Sequence, residues 1–583
     1  MRPYPENRPM TNREIADIMV HIARILEIQG ENPFKIRAYR KAADTIGGLD
    51  FELSTVKDRD RIQDLPGIGE AIASKIAELI ETGRLGFYES LLESDEAELV
   101  AFLEIPGMGP KHTRLVFEQL GIKTLDALKA AAEEGRLREL PGMGAKAEQN
   151  ILQGILQVRK YKERRPLAAV YPIALEIAER LASVESARNV LIAGSLRRMR
   201  DTIADVDILA ASADPESVMD AFVGLRQVEK VLAKGRTKSS VRVRDDVQVD
   251  LRVVSGESFG AAAHYFTGSK AHNIRVRSIA ADKGLKLNEY GVYKDEERIA
   301  GRSEEELFEV LGLPYIPPEL REDRGEIEAA LEGKIPALIG SEDIRGDLHM
   351  HSDWSDGHAS IAEMAAAARR RRYGYIAICD HSPHLGVTHG LDAGRLRRQA
   401  KEIDDVNARL KDLTVLKGIE VDILDDGRLD LPDEALAELD IVVASVHSRF
   451  RQPREVMTQR IIKAVEHPLV HIIGHPTGRL IGRREPYDVD LDAVLSACKA
   501  HGKFLELNAH PERLDLSDRH CRQAKAAGVR IVIDSDAHRE SDLDLLRFGV
   551  ATARRGWIEA SDVVNTLGLE DLLRALKRRK ESN

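Results

Sequence analysis

The strongest constraint on this chain is positional. After residue 345, apolar runs of strand length (YIAICDH, VLKGIEVDI, IVVASVHS, LVHIIGHP, FLELNAH and VRIVIDSDAH) alternate with helical stretches. Asp380-His381, Glu420, His447, His475 and Asp536-x-His538 fall at the C-terminal ends of such runs. Repeated βα units predict a parallel sheet or a barrel, and in a barrel that face holds the active site. Upstream, Asp347-Leu-His349-Met-His351 puts two imidazoles on one strand face, because side chains alternate with period two. Asp356 follows in a Ser-Asp-Gly turn. Composition supports this reading: 14 of the 18 histidines lie at or after His349. Imidazole is a common neutral metal ligand, and mixed nitrogen and oxygen donors suit Zn²⁺, Mn²⁺ or iron. His358, His384, His389, His467, His471, His501, His510 and His520 lack comparable placement and carry no assignment.

Residues 10–160 read as helical, with apolar residues at three- and four-residue spacing (Ile15, Ile18, Ile22, Ile25, Leu26). Within them a Pro-Gly-x-Gly turn opens a helix three times, in LPGIGEAIASKI, IPGMGPKHTRLVF and LPGMGAKAEQNIL. Glycines let the backbone approach a ligand closely, and the following helix N-terminus offers unpaired N–H groups to phosphate. Gly67, Gly69, Gly107, Gly109, Gly142 and Gly144 are therefore candidate phosphate contacts. The units resemble the helix-hairpin-helix motif, which grips DNA without reading sequence. The net charge of −11 does not decide the matter, since basic residues cluster at 159–165, 198–200 and 234–244.

Residues 166–320 turn β-rich, with runs at 190–195, 206–211 and 241–254; the last reads as a hairpin turning at Arg244-Asp245-Asp246. Asp205-Val-Asp207 points two carboxylates to one face, and Asp250 can meet them across the sheet. Three converging carboxylates are hard ligands suited to two Mg²⁺ ions for in-line phosphoryl transfer. Gly194-Ser195, Arg197 and Arg198 supply a turn, a hydroxyl and cations for polyphosphate. Prolines and a composition shift at 314–345 mark a linker with room for one helix.

Cys379, Cys498 and Cys521 form no CxxC pair, so a thiolate zinc finger and a disulfide framework are excluded and a reducing cytosol is indicated. No secretory h-region and no run of about 18 apolar residues occur, so no membrane association is expected. The expectation is a cytoplasmic, monomeric protein, held at the nucleoid through DNA.

GSLRR, DVD, VDLRVV and YFTGSKAHNIRVR together resemble family X DNA polymerases, of which polymerase beta is the familiar animal member, and NPFKIRAYRKAA resembles that family's small N-terminal domain. The resemblance covers about residues 10–315. It implies Asp205, Asp207 and Asp250 as metal ligands, with Asp250 taking the primer 3′-OH proton. It implies Ser195 and Arg198 on the β/γ-phosphates, Tyr265, Phe266 and Gly268 around the sugar, and Asn273 and Arg277 toward the nascent pair. Lys75 occupies the place of the family's Schiff-base lysine, while Ala71 stands where lyase members often carry another lysine.

The motifs HMHSDWSDG, CDHS, GIEVDI, SVHS, GHPTGR, LELNAHPERLDL and DSDAH resemble, in order, those of the PHP (polymerase and histidinol phosphatase) family. That likeness implies a distorted seven-stranded barrel binding up to three metals, Mn²⁺ or Zn²⁺. Its ligands would be His349, His351, Asp356, His381, Glu420, His447, His475, Asp536 and His538, with Asn508 and Arg513 as substrate contacts.

The expected fold is a multidomain α and α+β polymerase plus an α/β distorted (βα)7 barrel. Its parts are a helical domain with the first hairpin (1–82), a helical fingers-like domain with two more (83–162), a nucleotidyltransferase palm (163–256), a thumb (257–318), a linker (319–342) and a PHP phosphoesterase domain (343–583). The expected function is short-gap filling on gapped or nicked duplex DNA with deoxynucleoside triphosphates, in DNA repair. The barrel would act as a 3′→5′ exonuclease, abasic-site endonuclease or 3′-end cleaner. The rival readings are a nucleotidyltransferase fused to a small-molecule phosphatase of histidinol-phosphatase type, and a DNA-bridging protein whose barrel only braces the polymerase. Nothing sharper than a helical tail is read after about residue 545.

Overall fold

The computed structural model describes residues 10, 12–47, 53, 60–63, 65, 68–105, 107–161, 164–384, 389–481 and 484–577. The chain divides into two units, Met1–Glu163 and Arg164–Asn583. Among the described residues, no helix is long and apolar enough to cross a membrane.

The first unit is helical because its apolar residues recur at helical spacing. In the Asn12–Gln29 helix, Ile15, Ile18, Met19, Ile22, Ile25 and Leu26 are all buried in one core. The repeated turn has a structural half and an open half. Its middle residue (Ile68, Met108 or Met143) is buried in every copy. The glycine after it stands at the start of a helix: Gly69 before Glu70–Thr82, Gly109 before Pro110–Leu120, Gly144 before Ala145–Tyr161.

In the second unit the palm is a five-stranded sheet of β2 (Arg188–Ile192), β4 (Asp205–Ala211), β5 (Val228–Lys234), β6 (Lys238–Val243) and β7 (Val247–Val254), in the order β2-β4-β7-β6-β5. A short pair, β1 (Arg165–Pro166) and β3 (Thr202–Ile203), flanks it. β6 and β7 form the expected hairpin around Arg244–Asp246. β4 and β7 run parallel in a register that sets Asp207 opposite Asp250. The thumb follows: helices Phe259–Thr267 and Lys270–Asp282, then an antiparallel meander β8 (Lys286–Asn288), β9 (Gly291–Lys294) and β10 (Glu297–Ala300).

The barrel has seven parallel strands in sequential order: β11 (Gly346–Met350), β12 (Tyr375–Ile378), β13 (Thr414–Asp422), β14 (Ile441–Ser445), β15 (Ile472–Ile473), β16 (Phe504–Asn508) and β17 (Ile531–Asp534). They carry almost continuous apolar runs because both faces are covered. The seam between last and first strand is drawn together by two backbone bonds, Asp536 N–H to the His349 carbonyl (3.1 Å) and His351 N–H to the Ala537 carbonyl (2.8 Å). Three of the candidate ligands, His349, His351 and Asp536, thus sit at the closure itself.

The segment 319–342 does more than connect. Arg321 is fully buried against Glu304 (2.5 Å), and Glu326 accepts from buried His272 (2.7 Å). Glu322 takes Arg198 of the palm (3.0 Å) and Arg555 of the barrel (3.0 Å). The supposed tail after residue 545 is likewise integral. Its Leu546–Arg555 helix puts Phe548 into the palm core, where Tyr171 meets it edge-on at 5.8 Å. Leu514, from a barrel loop, is buried in the same cluster with Leu167, Val170 and Ile203. Leu514→Ala should therefore cost about 2–5 kcal/mol and lower the melting temperature of the full-length protein. Wild-type melting would show that this cluster does not hold barrel and palm together.

Candidate active sites

In the palm, the parallel register of β4 and β7 gathers three carboxylates. Burial, then the charges of Asp205 and Asp250, push Asp207 up to about 7; burial and Asp250 also raise Asp205. Like charges held together out of water are poised to receive cations. Asp250 accepts from Gln248 Nε2 (2.9 Å) and pairs with Lys238 Nζ (3.1 Å). Gly194 has a positive φ, and a Cβ there would lie 2.3 Å from Asp207 Oδ2, so the loop carrying Ser195 can approach the carboxylates only through glycine.

The neighbouring arginines are less available than their sequence suggests. Arg197 pairs with Glu304 (2.6 Å) and Thr267 Oγ1 (2.8 Å). Arg198 donates to Glu322 and to the Thr267 carbonyl, so in this structure its guanidinium ties palm to thumb. Tyr265 is exposed and meets Phe266 edge-on. Phe266 stacks under Arg252, 4.3 Å from its centroid. Asn273 donates to the Tyr265 carbonyl (2.7 Å), Gly268 has positive φ beside Arg198, and Arg277 is exposed.

At the barrel mouth the structure brings eight of the nine expected residues into three overlapping groups: His351, Asp356, His381 and His538; His349, His351 and Asp536; His381, Glu420 and His447. The ninth, His475, has Nε2 3.1 Å from Glu420. Glu420 is the hub, also 2.9 Å from His381 and 3.3 Å from His447.

The donor set fits divalent ions. His349 presents Nδ1 to Glu506 (2.6 Å), His447 presents Nδ1 to Asp422 (3.0 Å), and His538 presents Nδ1 to the Asp536 carbonyl (2.8 Å). An acceptor at Nδ1 fixes the proton there and turns the Nε2 lone pair inward, the arrangement of a metal-ligating histidine. His349 Nε2 is buried with no hydrogen-bond partner.

Electrostatics agree. Burial opposes protonation of His381, His447 and His538, yet carboxylates overcome it. Glu420 and Asp356 raise His381 to about 10, Glu420 and Asp422 raise His447 to about 9, and Asp356 and Asp536 raise His538 to about 9. Burial dominates at His351 and His475, lowering both to about 3.

Asn508 donates to Asp536 Oδ2 (3.0 Å), so it positions a candidate ligand. Arg513 Nε lies 3.8 Å from Asp536, and its Nη1 is buried with no partner. Glu506 and Asp422 went unassigned in the sequence although each is two residues from an assigned one, on the same strand. Asp380 turns out to brace the site loop, accepting from Ser352, Ser355 and Gln399.

In the first unit, Gly107 and Gly142 have positive φ, whereas Gly69 and Gly109 have ordinary φ values. A Cβ on Gly69, Gly109 or Gly144 would meet nothing within 4 Å, so packing does not require glycine at those helix starts. Gly67 lies outside the described residues. Lys75 donates to the Ala71 carbonyl (3.1 Å) and sits over the Phe87 ring, 5.1 Å from its centroid.

Family comparisons agree along the chain. Residues 10–85 match a helix-hairpin-helix domain, 97–155 a tandem of that motif, 262–322 the DNA polymerase beta thumb and 347–510 the PHP domain. The DNA polymerase/3′-5′ exonuclease PolX of Bacillus subtilis is 42% identical over 573 residues, 98% of this chain and all of that protein. A probable phosphatase of a Thermoanaerobacter species is 34% identical over 233 residues, 38% of this chain and 89% of its own length. Another, from Acetivibrio thermocellus, is 36% identical over 203 residues, 33% of this chain and 78% of its own. The chain thus belongs to the bacterial family X DNA polymerases, the polymerase beta-like enzymes that carry a C-terminal PHP domain.

Proposed function

We infer that this protein is a DNA-directed DNA polymerase that fills short gaps in DNA repair, and that its barrel is a phosphoesterase acting as a 3′→5′ exonuclease. The observation that carries the reading is two separate centres on one chain, one of carboxylates and one of carboxylates and imidazoles, preceded in sequence by three hairpins with open helix starts. The helical domains 1–82 and 83–162 grip the duplex, the palm and thumb (163–256 and 257–318) hold primer end and nucleotide, 319–342 links them to the barrel, and 343–583 hydrolyses. The partners are gapped or nicked duplex DNA and deoxynucleoside triphosphates, met in the cytoplasm by a monomer.

Asp205, Asp207 and Asp250 would hold two Mg²⁺. The nine barrel residues would hold up to three ions, Mn²⁺ or Zn²⁺. Bound there, such ions polarise phosphoryl oxygens and stabilise the charge of an in-line displacement. Asp250 accepts the primer hydroxyl proton; Ser195 and, after leaving Glu322, Arg198 orient the triphosphate; Tyr265, Phe266 and Gly268 enclose its sugar. Asn273 and Arg277 face the nascent pair. In the barrel, the unpaired Nη1 of Arg513 seats a substrate phosphate, and Asn508 holds Asp536.

A labelled primer on a one-nucleotide gap tests the reading. With triphosphates it should grow by one residue; without them it should shorten from its 3′ end. Hydrolysis of free phosphomonoesters with no action on DNA ends would favour the phosphatase rival. An abasic duplex and a blocked 3′ end assay the other barrel reactions. The Schiff-base role of Lys75 predicts a borohydride-trapped adduct on a 5′-deoxyribose-phosphate end. An adduct that survives Lys75→Ala removes that role.

Metal loading of the barrel should release protons. His381, His447 and His538 carry protons up to about 10, 9 and 9 while metal-free and must be neutral to ligate. Affinity should therefore rise between pH 6.5 and 8.5, read by calorimetry in buffers of different ionisation heat. A pH-independent affinity would contradict this protonation scheme.

A further inference from the structure

Between palm, linking segment and barrel lies a cavity of about 210 Å³. Its walls carry Arg200 from the palm, Arg324 from the linking segment, and Arg479 and Arg555 from the barrel, with Asp201 and Asp518 as the lining carboxylates. Exposed Arg519 completes the wall. The carboxylates are heavily shared. Asp518 Oδ2 accepts from both Arg324 (2.9 Å) and Arg555 (2.8 Å). Glu322, just behind, serves Arg198, Arg555 and, at 3.4 Å, Arg200. Arg479 reaches Asp201 at 3.4 Å, gives its Nε to the Arg513 carbonyl (2.8 Å) and its Nη2 to the Leu514 carbonyl, and also feels the charge of buried Asp515.

A guanidinium has five donors and cannot be neutralised by losing a proton. Crowding more of them than lining carboxylates into a space partly shielded from water, with Arg555 buried and Arg200 and Arg324 half-exposed, is unfavourable until an anion offsets the excess. The anion must be small. Drug-sized ligands occupy pockets of about 300–1,000 Å³, and this space holds the volume of about seven waters. Forked guanidinium donors lining one small cavity match tetrahedral oxyanions.

We propose that this cavity is a binding site for a small phosphate-class oxyanion, inorganic phosphate or pyrophosphate, which clamps palm, linking segment and barrel together. It is distinct from both metal centres and does not depend on the activity assigned to either. Occupancy would strengthen the junction at Glu322, the same carboxylate that holds Arg198.

The test uses the full-length protein in excess chelator, so that neither centre holds a metal. It is titrated with inorganic phosphate or pyrophosphate against sodium chloride at matched ionic strength. The expected result is a saturable rise in melting temperature and saturable broadening of the phosphate ³¹P line. Both should weaken at least tenfold in Arg324→Gln and in Arg479→Gln. Arg200→Gln replaces either variant if its melting without phosphate shows that it has not folded. Tighter binding of pyrophosphate would point to the polymerase product as the source, and equal binding to free phosphate; either supports the site. Absence of saturable binding, or equal binding in the variants, overturns it, as does loss of binding in Ser195→Ala, which would assign the anion to the polymerase centre.

Discussion

The variant Asp205→Asn with Asp207→Asn is expected to lose nucleotide insertion by about 10³-fold or more, the scale on which groups stabilising transition-state charge act, while 3′→5′ degradation stays near wild type. The side chains keep their volume, so the pairing of β4 with β7 survives. What disappears is the negative charge that would recruit cations beside the primer end. A second readout separates this from damage to the fold. Asp207 titrates near 7 in the folded, metal-free protein, against an ordinary value of 3.8. A raised carboxyl contributes stability that is fully present below the unfolded value and is lost as pH rises through about 7. The variant has no such loss, so in chelator at pH 8 it should melt at or above the wild-type temperature. Primer extension and thermal unfolding on one preparation check both halves. Loss of insertion together with a lower melting temperature would mean that the substitutions broke the palm instead of its chemistry.

The reciprocal variant, His447→Ala with Asp536→Ala, should lose degradation by about 10³-fold or more and keep insertion. It strips one side chain from each of two of the three barrel groups. A graded companion is Glu506→Gln, which leaves every candidate ligand in place but weakens the hold on Nδ1 of His349. Loss of such a support costs about 10–100-fold in metal affinity or activity, and added metal should restore part of it. Both variants are assayed on the same gapped duplex. If either also abolishes insertion, the two centres do not work independently.

The candidate ligands were legible because their placement is a local pattern: most stand at or near the point where an apolar run stops, with His349 on a strand and Asp356 in a turn. The carboxylates that orient them were not, since Glu506 inside β16 and Asp422 at the end of β13 reveal themselves only by the imidazole they face. That Asp205 and Asp207 share a face which Asp250 can meet was legible from alternation; the parallel register of β4 and β7 came from the structure. The engagement of Arg198 was not, because its partner Glu322 lies 124 residues away. The same holds for the linking segment and the helix after residue 545. Prolines and a composition shift at 314–345 read as a linker, yet Arg321, Glu322 and Glu326 find partners outside it. Charge runs report composition; only the fold decides which charges are neutralised.

The seating of Leu514 and Phe548 in the palm core bears on whether such enzymes are assembled from interchangeable parts. The probable phosphatase of the Thermoanaerobacter species is almost spanned by its match to this chain, so a related hydrolase exists without a polymerase. Here, cutting the chain at residue 342 would leave the palm with a hollow where two large side chains had been and the freed barrel with two greasy knobs. A transplanted hydrolase would therefore have to bring its own plug, and recombination at the linking segment alone would yield a chimera that leaks water into the polymerase half.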